Sequence, residues 1–109
     1  MNVNYKVIWV NPAKYDLAGI IEYISNDNPS HAREIFQELH QKTASLCHFP
    51  QRCRIIPELQ KQGIYQYREL IIPPWRIMYR ISEENVYIVA VLDCRQNIED
   101  ILFQRLIRP

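Results

Sequence analysis

The stretch Trp75-Arg76-Ile77-Met78-Tyr79-Arg80-Ile81-Ser82, followed by Glu83-Glu84-Asn85 and then Val86-Tyr87-Ile88-Val89-Ala90-Val91-Leu92, decides the fold. In its first part apolar and polar residues alternate. Trp75, Ile77, Tyr79 and Ile81 fall on one face of a strand, and Arg76, Met78, Arg80 and Ser82 on the other. Glu83-Glu84-Asn85 is polar and short, as a hairpin turn requires. The last part is an unbroken apolar run, the pattern of a strand buried on both faces. Upstream, Tyr65-Gln66-Tyr67-Arg68-Glu69-Leu70-Ile71 shows the same period of two. Pro73-Pro74 separates it from Trp75, cannot donate ladder hydrogen bonds, and so marks a bend. Three strands joined by short turns make an antiparallel meander.

A sheet with an apolar face needs a cover, and the N-terminal half supplies one. Tyr5 to Val10 reads as a strand that stops at Asn11-Pro12. Asn11 is placed to cap a helix and Pro12 to open it. Leu17, Ile20, Ile21 and Ile24 then share one helical face. Gly19 inside this helix costs about 1 kcal/mol relative to alanine; beside Ala18, its size suits a close helix contact. Asn28 and Pro29 repeat the start signal. Ala32, Ile35, Phe36, Leu39, Thr43 and Leu46 hold one face of a second helix, with Arg33, Glu34, Gln37, Glu38, Gln41 and Lys42 outside, and Pro50 ends it. The short connection makes the two helices an antiparallel hairpin. Residues 51–64 contain Pro57 and Gly63, show no clean period, and read as a loop with a helical turn. After the last strand, Asn97 caps a terminal helix with Glu99 and Asp100 in its first turn and Arg105 and Arg108 near its end, where the dipole favours each. Ile98, Ile101, Leu102 and Leu106 form its stripe. The expected fold is α+β in the order β-α-α-β-β-β-α, one domain over residues 1–109, with the place of the first strand left open.

Composition narrows the function. A formal net charge of +1 excludes a generic polyanion binder. The charge is uneven, however: residues 51–82 carry Arg52, Arg54, Lys61, Arg68, Arg76 and Arg80 against Glu58 and Glu69. Two glycines, Gly19 and Gly63, exclude glycine-rich phosphate loops. No apolar run reaches the ~18 residues of a membrane span, and Met1 to Lys6 lacks the apolar stretch of a secretory signal, so a cytoplasmic protein is expected. Cys47, Cys53 and Cys94 are an odd number and read as free thiols. Cys47, His48 and Cys53 lack the paired ligand spacing of structural zinc, so neither a metal nor another cofactor is expected.

Tyr67-Arg68-Glu69-Leu70, Trp75 through Ile81, and Val86 through Leu92 with Asp93-Cys94-Arg95 together resemble the RelE/ParE toxin superfamily. So does Val7-Ile8-Trp9 followed by Asp16, Leu17, Ile20, Ile21, Tyr23 and Ile24. The resemblance extends over nearly the whole chain and agrees in element order. It implies a helical hairpin packed on an antiparallel sheet with a C-terminal helix. It also implies a type II toxin, neutralised by a cognate antitoxin with an acidic or amphipathic tail that wraps it in a hetero-oligomer. Of the two branches, the RelE-like one cleaves mRNA on the ribosome, whereas the ParE-like one inhibits DNA gyrase.

Metal-free RNA cleavage needs a base for the 2′-hydroxyl proton, an acid for the leaving oxygen, and cations on the phosphate. Arg68, Arg76, Arg80 and Arg95 supply cations. Proton shuttles are scarce: no tyrosine or histidine follows Tyr87, where the RelE-like resemblance would place one. His31, His40 and His48 belong to the second helix or its end. A nuclease would therefore rest on Glu58, His48, Arg68 and Arg80. The ParE-like branch fits better. It implies no catalytic residue and makes Arg68, Arg76, Arg80 and Arg95 an antitoxin- or target-binding set. Arg76 and Arg80 share a strand face ~6–7 Å apart, and Arg68 joins them if the strand register allows. Pairing of Arg76 or Arg80 with Glu69 or Asp93 is the alternative use of the same side chains. The expectation is a toxin that inhibits DNA gyrase by protein–protein contact, with no membrane partner. Its rivals are a ribosome-dependent mRNA endoribonuclease and a non-toxic binding module of the same fold.

Overall fold

The structure, a computed structural model, describes residues 4–107; Arg108, assigned above to the end of the last helix, lies outside them. The elements are β1 (Lys6–Trp9), α1 (Asn11–Asp27), α2 (Pro29–Ala44), β2 (Arg54–Ile55), α3 (Pro57–Gln60), β3 (Tyr67–Ile72), β4 (Trp75–Ser82), β5 (Asn85–Asp93) and α4 (Ile98–Leu102), which runs on into a π-helical turn, Phe103–Ile107. Short 3-10 turns, Ser45–Cys47 and Pro50–Arg52, lie between α2 and β2. The sheet has five strands in the order β1-β5-β4-β3-β2. The meander β3-β4-β5 is antiparallel, as its alternation predicts, and β1 joins it in parallel beside β5.

Why the last strand is apolar throughout becomes plain in its register. Met78 lies opposite Ala90 but Tyr79 lies opposite Ile88, so Val89 has no ladder partner. This bulge lets two successive residues, Val89 and Ala90, turn to the same side. Val86, Ile88 and Val91 face the helical hairpin, where they pack with Leu17, Leu39, Leu46, Ile77 and Tyr79. Val89, Ala90 and Leu92 face the other way, against Ile56, Leu59, Ile98 and Leu102. Each cluster removes several large side chains from water, at about 1.5–3 kcal/mol apiece.

The second cluster also refines the reading of residues 51–64 as a loop with a helical turn: the turn is α3, and what the reading lacks is β2 and the burial of this segment against the sheet. Ile56 is wholly buried and Leu59 nearly so, and they anchor α3 across the sheet from the hairpin. A four-residue helix and a two-residue strand are too short to leave a period in the sequence. Asn11 is likewise not a cap. The Val10 N–H donates to the Ile88 carbonyl, and the Val10 carbonyl accepts from Lys14 N–H, so strand passes into helix with no residue between for a polar cap. Asn28 does cap α2, accepting from the His31 N–H at 3.1 Å, and Asn97 caps α4 by accepting from the Asp100 N–H.

Gly19 has no close helix neighbour: a Cβ built there meets nothing within 4 Å. It is an exposed interior position of α1. Gly19→Ala is therefore expected to stabilise the fold by up to about 1 kcal/mol, read as a higher denaturant midpoint with an unchanged m-value. A loss of stability would mean that the glycine is needed by the fold.

Candidate functional site: the arginines of the sheet

The four arginines singled out by sequence occupy four different environments. Arg76, on β4, is buried at 8% exposure. Its Nε donates to Glu69 at 2.6 Å, and its two terminal nitrogens donate to the Glu58 carboxylate at 2.8 and 2.7 Å. Glu69 is 1% exposed and accepts a further hydrogen bond from Arg54 at 2.7 Å. Arg54, Glu69, Arg76 and Glu58 thus form one alternating chain of charge that ties β2, β3, β4 and α3 together. Arg76 is engaged on every side and does not present a free guanidinium. Its internal use, with Glu69, is the one the structure adopts.

Arg80 shares the Arg76 side of β4 but stands apart from this chain. It lies between Tyr67 on β3 and Tyr87 on β5, with its guanidinium 4.4 Å from the centre of the Tyr87 ring. Stacking on the ring leaves the N–H edges available to a partner. Arg68 does not join Arg76 and Arg80. The register sets it opposite Tyr79, on the hairpin face, where it donates to the Cys53 carbonyl at 2.6 Å. A shift of one residue in register moves a side chain through the sheet, and the sequence does not state the register. Arg95 is at the surface and chelates Asp93 by Nε and a terminal nitrogen, at 3.0 and 2.7 Å.

Nor does the structure assemble the four residues on which a nuclease would rest. Glu58 is held by Arg76, while His48 sits beside the opposite, β1, edge of the sheet, bridged to Asn4. Arg68 and Arg80 lie on opposite faces. The hydrogen bonds from Arg76 hold the Glu58 carboxyl below its ordinary value of 4.5, against the opposing effect of burial. Those from the Arg95 side chain and backbone lower Asp93 from 3.8 to about 2. Because both carboxylates are favoured in the folded state, their contribution is complete above pH 4.5 and is lost as pH falls through the lowered values. Stability is expected to decline on acidification below that point, and Glu58→Gln is expected to flatten the decline. Equal slopes in wild type and variant would remove Glu58 from the account.

Sequence reasoning missed Asp16. From α1 its carboxylate accepts the Val91 N–H at 2.9 Å and also binds Arg105 through two hydrogen bonds, at 2.6 and 2.7 Å. One side chain thereby satisfies backbone beside the β5 bulge and pins the C-terminal turn to the hairpin. Arg105 is 89 positions away, so no local pattern could have announced the pair.

A helical hairpin on a five-stranded sheet, closed on its other face by short C-terminal helices, is the architecture of the RelE/ParE superfamily of type II toxins. Residues 7–98 match the family described as "ParE toxin of type II toxin-antitoxin system, parDE", and the chain belongs to that family. It is 27% identical over 86 residues to Toxin RelE2 of Caulobacter vibrioides, spanning 79% of this chain and 91% of that protein. Among solved structures it resembles the chromosomal ParDE system of P. aeruginosa, with a TM-score of 0.68 and 16% identity over 82% of this chain and 95% of that one. It also resembles the toxin–antitoxin complex RelBE2 of Mycobacterium tuberculosis, with a TM-score of 0.56 and 18% identity over 84% and 92% of the two chains. The structural matches define the fold.

Proposed function

We propose that this toxin arrests growth in the cytoplasm by binding DNA gyrase, without chemistry of its own, and that a cognate antitoxin neutralises it by covering its arginine-bearing surface. The observation that carries this reading is the state of Glu58. Glu58, which a nuclease would need as its base, is held by two hydrogen bonds from Arg76 and kept as a weakly basic carboxylate, and His48 lies away from it beside the β1 edge. Arg80 and Arg95 remain where a protein partner can reach them. An arginine that stacks on a tyrosine and keeps its donors free suits an acidic partner surface.

Expression of the chain alone is expected to stop growth, with intact transcripts, broken DNA and filamentous cells. Transcripts cut within codons would overturn the reading in favour of an endoribonuclease, and unimpeded growth would favour a non-toxic binding module. Arg80→Ala is expected to relieve the arrest or weaken antitoxin binding while costing no more than about 1 kcal/mol of stability, the worth of its ring contact. Full toxicity in a correctly folded Arg80→Ala protein would remove that residue from the interface.

A further inference from the structure

Gly19 carries a cost that the fold does not recover. It sits in the middle of α1, where glycine weakens a helix relative to alanine. Its φ is not positive, and a Cβ built there meets nothing within 4 Å. What Gly19 does border is a groove of about 570 Å³ at the end of the sheet where β4 begins and β5 ends. Ile20 and Tyr23 line this groove from α1, and Pro74 and Trp75 from the start of β4. Asp93, Arg95 and Gln96 line it from the end of β5 and the turn that follows.

The polar groups of the groove are unevenly used. Both Asp93 carboxylate oxygens are taken up by Arg95, and the Gln96 side-chain oxygen accepts the Asp93 N–H at 2.7 Å. Donors are left over: the second terminal nitrogen of Arg95 and the Gln96 amide nitrogen have no hydrogen-bond partner among the described residues. The Arg95 side chain is 81% exposed. Two tyrosines carry the surface beyond the groove. Tyr15 and Tyr23 are 75% and 81% exposed, and with Gly19 between them they follow a four-residue spacing along one side of α1. That stripe is about 12 Å long, which suits a protein partner better than a small ligand. Tyrosine offers a large apolar area with a polar tip, as protein interfaces favour, and the bare glycine between the two rings lets a partner approach the helix backbone.

We infer that the groove between α1 and the start of β4, with Gly19 as its open side, is a docking site for the protein whose capture arrests growth, from which it takes a large apolar side chain and a neighbouring carboxylate. The inference rests on the target-binding part of the function proposed above and names a surface and a recognition chemistry for it. The apolar side chain displaces water from Ile20, Tyr23 and Trp75, and the carboxylate meets the unused donors of Arg95 and Gln96. A basic segment finds no carboxylate free there, because Asp93 is fully engaged and Glu22, next to Tyr23, does not line the groove. Arg80 lies five residues along β4 from Trp75, about 17 Å away, within the span of one protein–protein interface. A helix that gives up stability at a position facing a partner makes a common trade between stability and function.

Gly19→Gln tests the inference because its two expected effects have opposite signs. Glutamine is a good helix former, so the denaturant midpoint is expected to rise. In the same protein the added side chain stands in the groove, so affinity for purified gyrase is expected to fall at least about tenfold and growth arrest on expression to be relieved. A loss of binding in a protein more stable than wild type is not a loss of folding. Arg95→Glu is expected to weaken gyrase binding about tenfold as well, and Arg95→Lys, which keeps a cationic donor, by less. The inference is overturned if folded Gly19→Gln and Arg95→Glu proteins bind gyrase and arrest growth as wild type does, or if Gly19→Gln lowers stability, which would return the glycine to the fold. A wild-type dimer in sedimentation that Gly19→Gln converts to monomer would make a second copy the occupant and overturn it equally. If wild type arrests growth without binding gyrase, the choice of target fails alone, and growth arrest by the variants still decides the groove. A wild-type chain that does neither overturns both readings.

Discussion

Glu69→Ala is expected to bring the protein to the brink of unfolding. Glu69 is 1% exposed and is shared between Arg54 and Arg76, the latter itself 8% exposed. Removing the carboxylate leaves a buried guanidinium with Glu58 as its remaining counter-charge and a cavity at its Nε. Breaking a buried pair in this way costs about 3–5 kcal/mol, against a total stability of about 5–15 kcal/mol for a domain of ordinary stability. Two comparisons isolate the cause. Glu69→Gln keeps the shape and loses the charge, so it falls between wild type and alanine. Arg54→Ala removes a partner whose side chain is 59% exposed and costs less than about 1 kcal/mol. Guanidinium chloride titrations check all three. A Glu69→Ala protein within about 1 kcal/mol of wild type would mean that the charge chain does not hold the sheet together.

Asp16→Ala is expected to act in two places at once, at opposite ends of the chain. At the β5 bulge it strands the Val91 N–H, and an unsatisfied buried donor costs about 1–3 kcal/mol. At the C-terminus it frees Arg105, whose pairing with Asp16 is partly exposed and worth less. The sum is about 1–4 kcal/mol, with a spatial signature that a plain core mutation lacks. Amides of α4 and the turn after it lose exchange protection before those of β3 and β4. Arg105→Ala should reproduce the C-terminal loosening without the loss at Val91. If both variants open the sheet and the C-terminal turn together, the two roles assigned to Asp16 are one.

Much of this architecture was legible because the chain's periods are clean. The alternation over Trp75–Ser82, the apolar run that follows and the Asn28-Pro29 start of α2 each have one physical reading, and each element stands where it was expected. The misses share a cause, which is that they depend on registration between distant elements. Whether Arg68 joins Arg76 and Arg80 depends on the β3–β4 register, which sets it opposite Tyr79. The bulge at Val89 was invisible because both faces of β5 are apolar, so a slipped period leaves no trace in composition. Asp16 sits next to Leu17 on a helix read for its apolar stripe, and its partners are a backbone amide and an arginine contributed by the far end of the chain. Arg54 counts only as one more charge in the basic segment, because β2 is two residues long and leaves no period that would pair it with Glu69. The arginine-rich middle segment was visible as composition; its division into a locked Arg76 and accessible Arg80 and Arg95 was not.

DNA supercoiling by purified gyrase, titrated with the purified toxin and with its Arg80→Ala variant, tests the central reading most directly. Supercoiling is expected to fall as toxin approaches the enzyme concentration, with the variant displaced to higher concentration. Gyrase that turns over undisturbed at a large excess of folded toxin would contradict a gripping surface aimed at that enzyme.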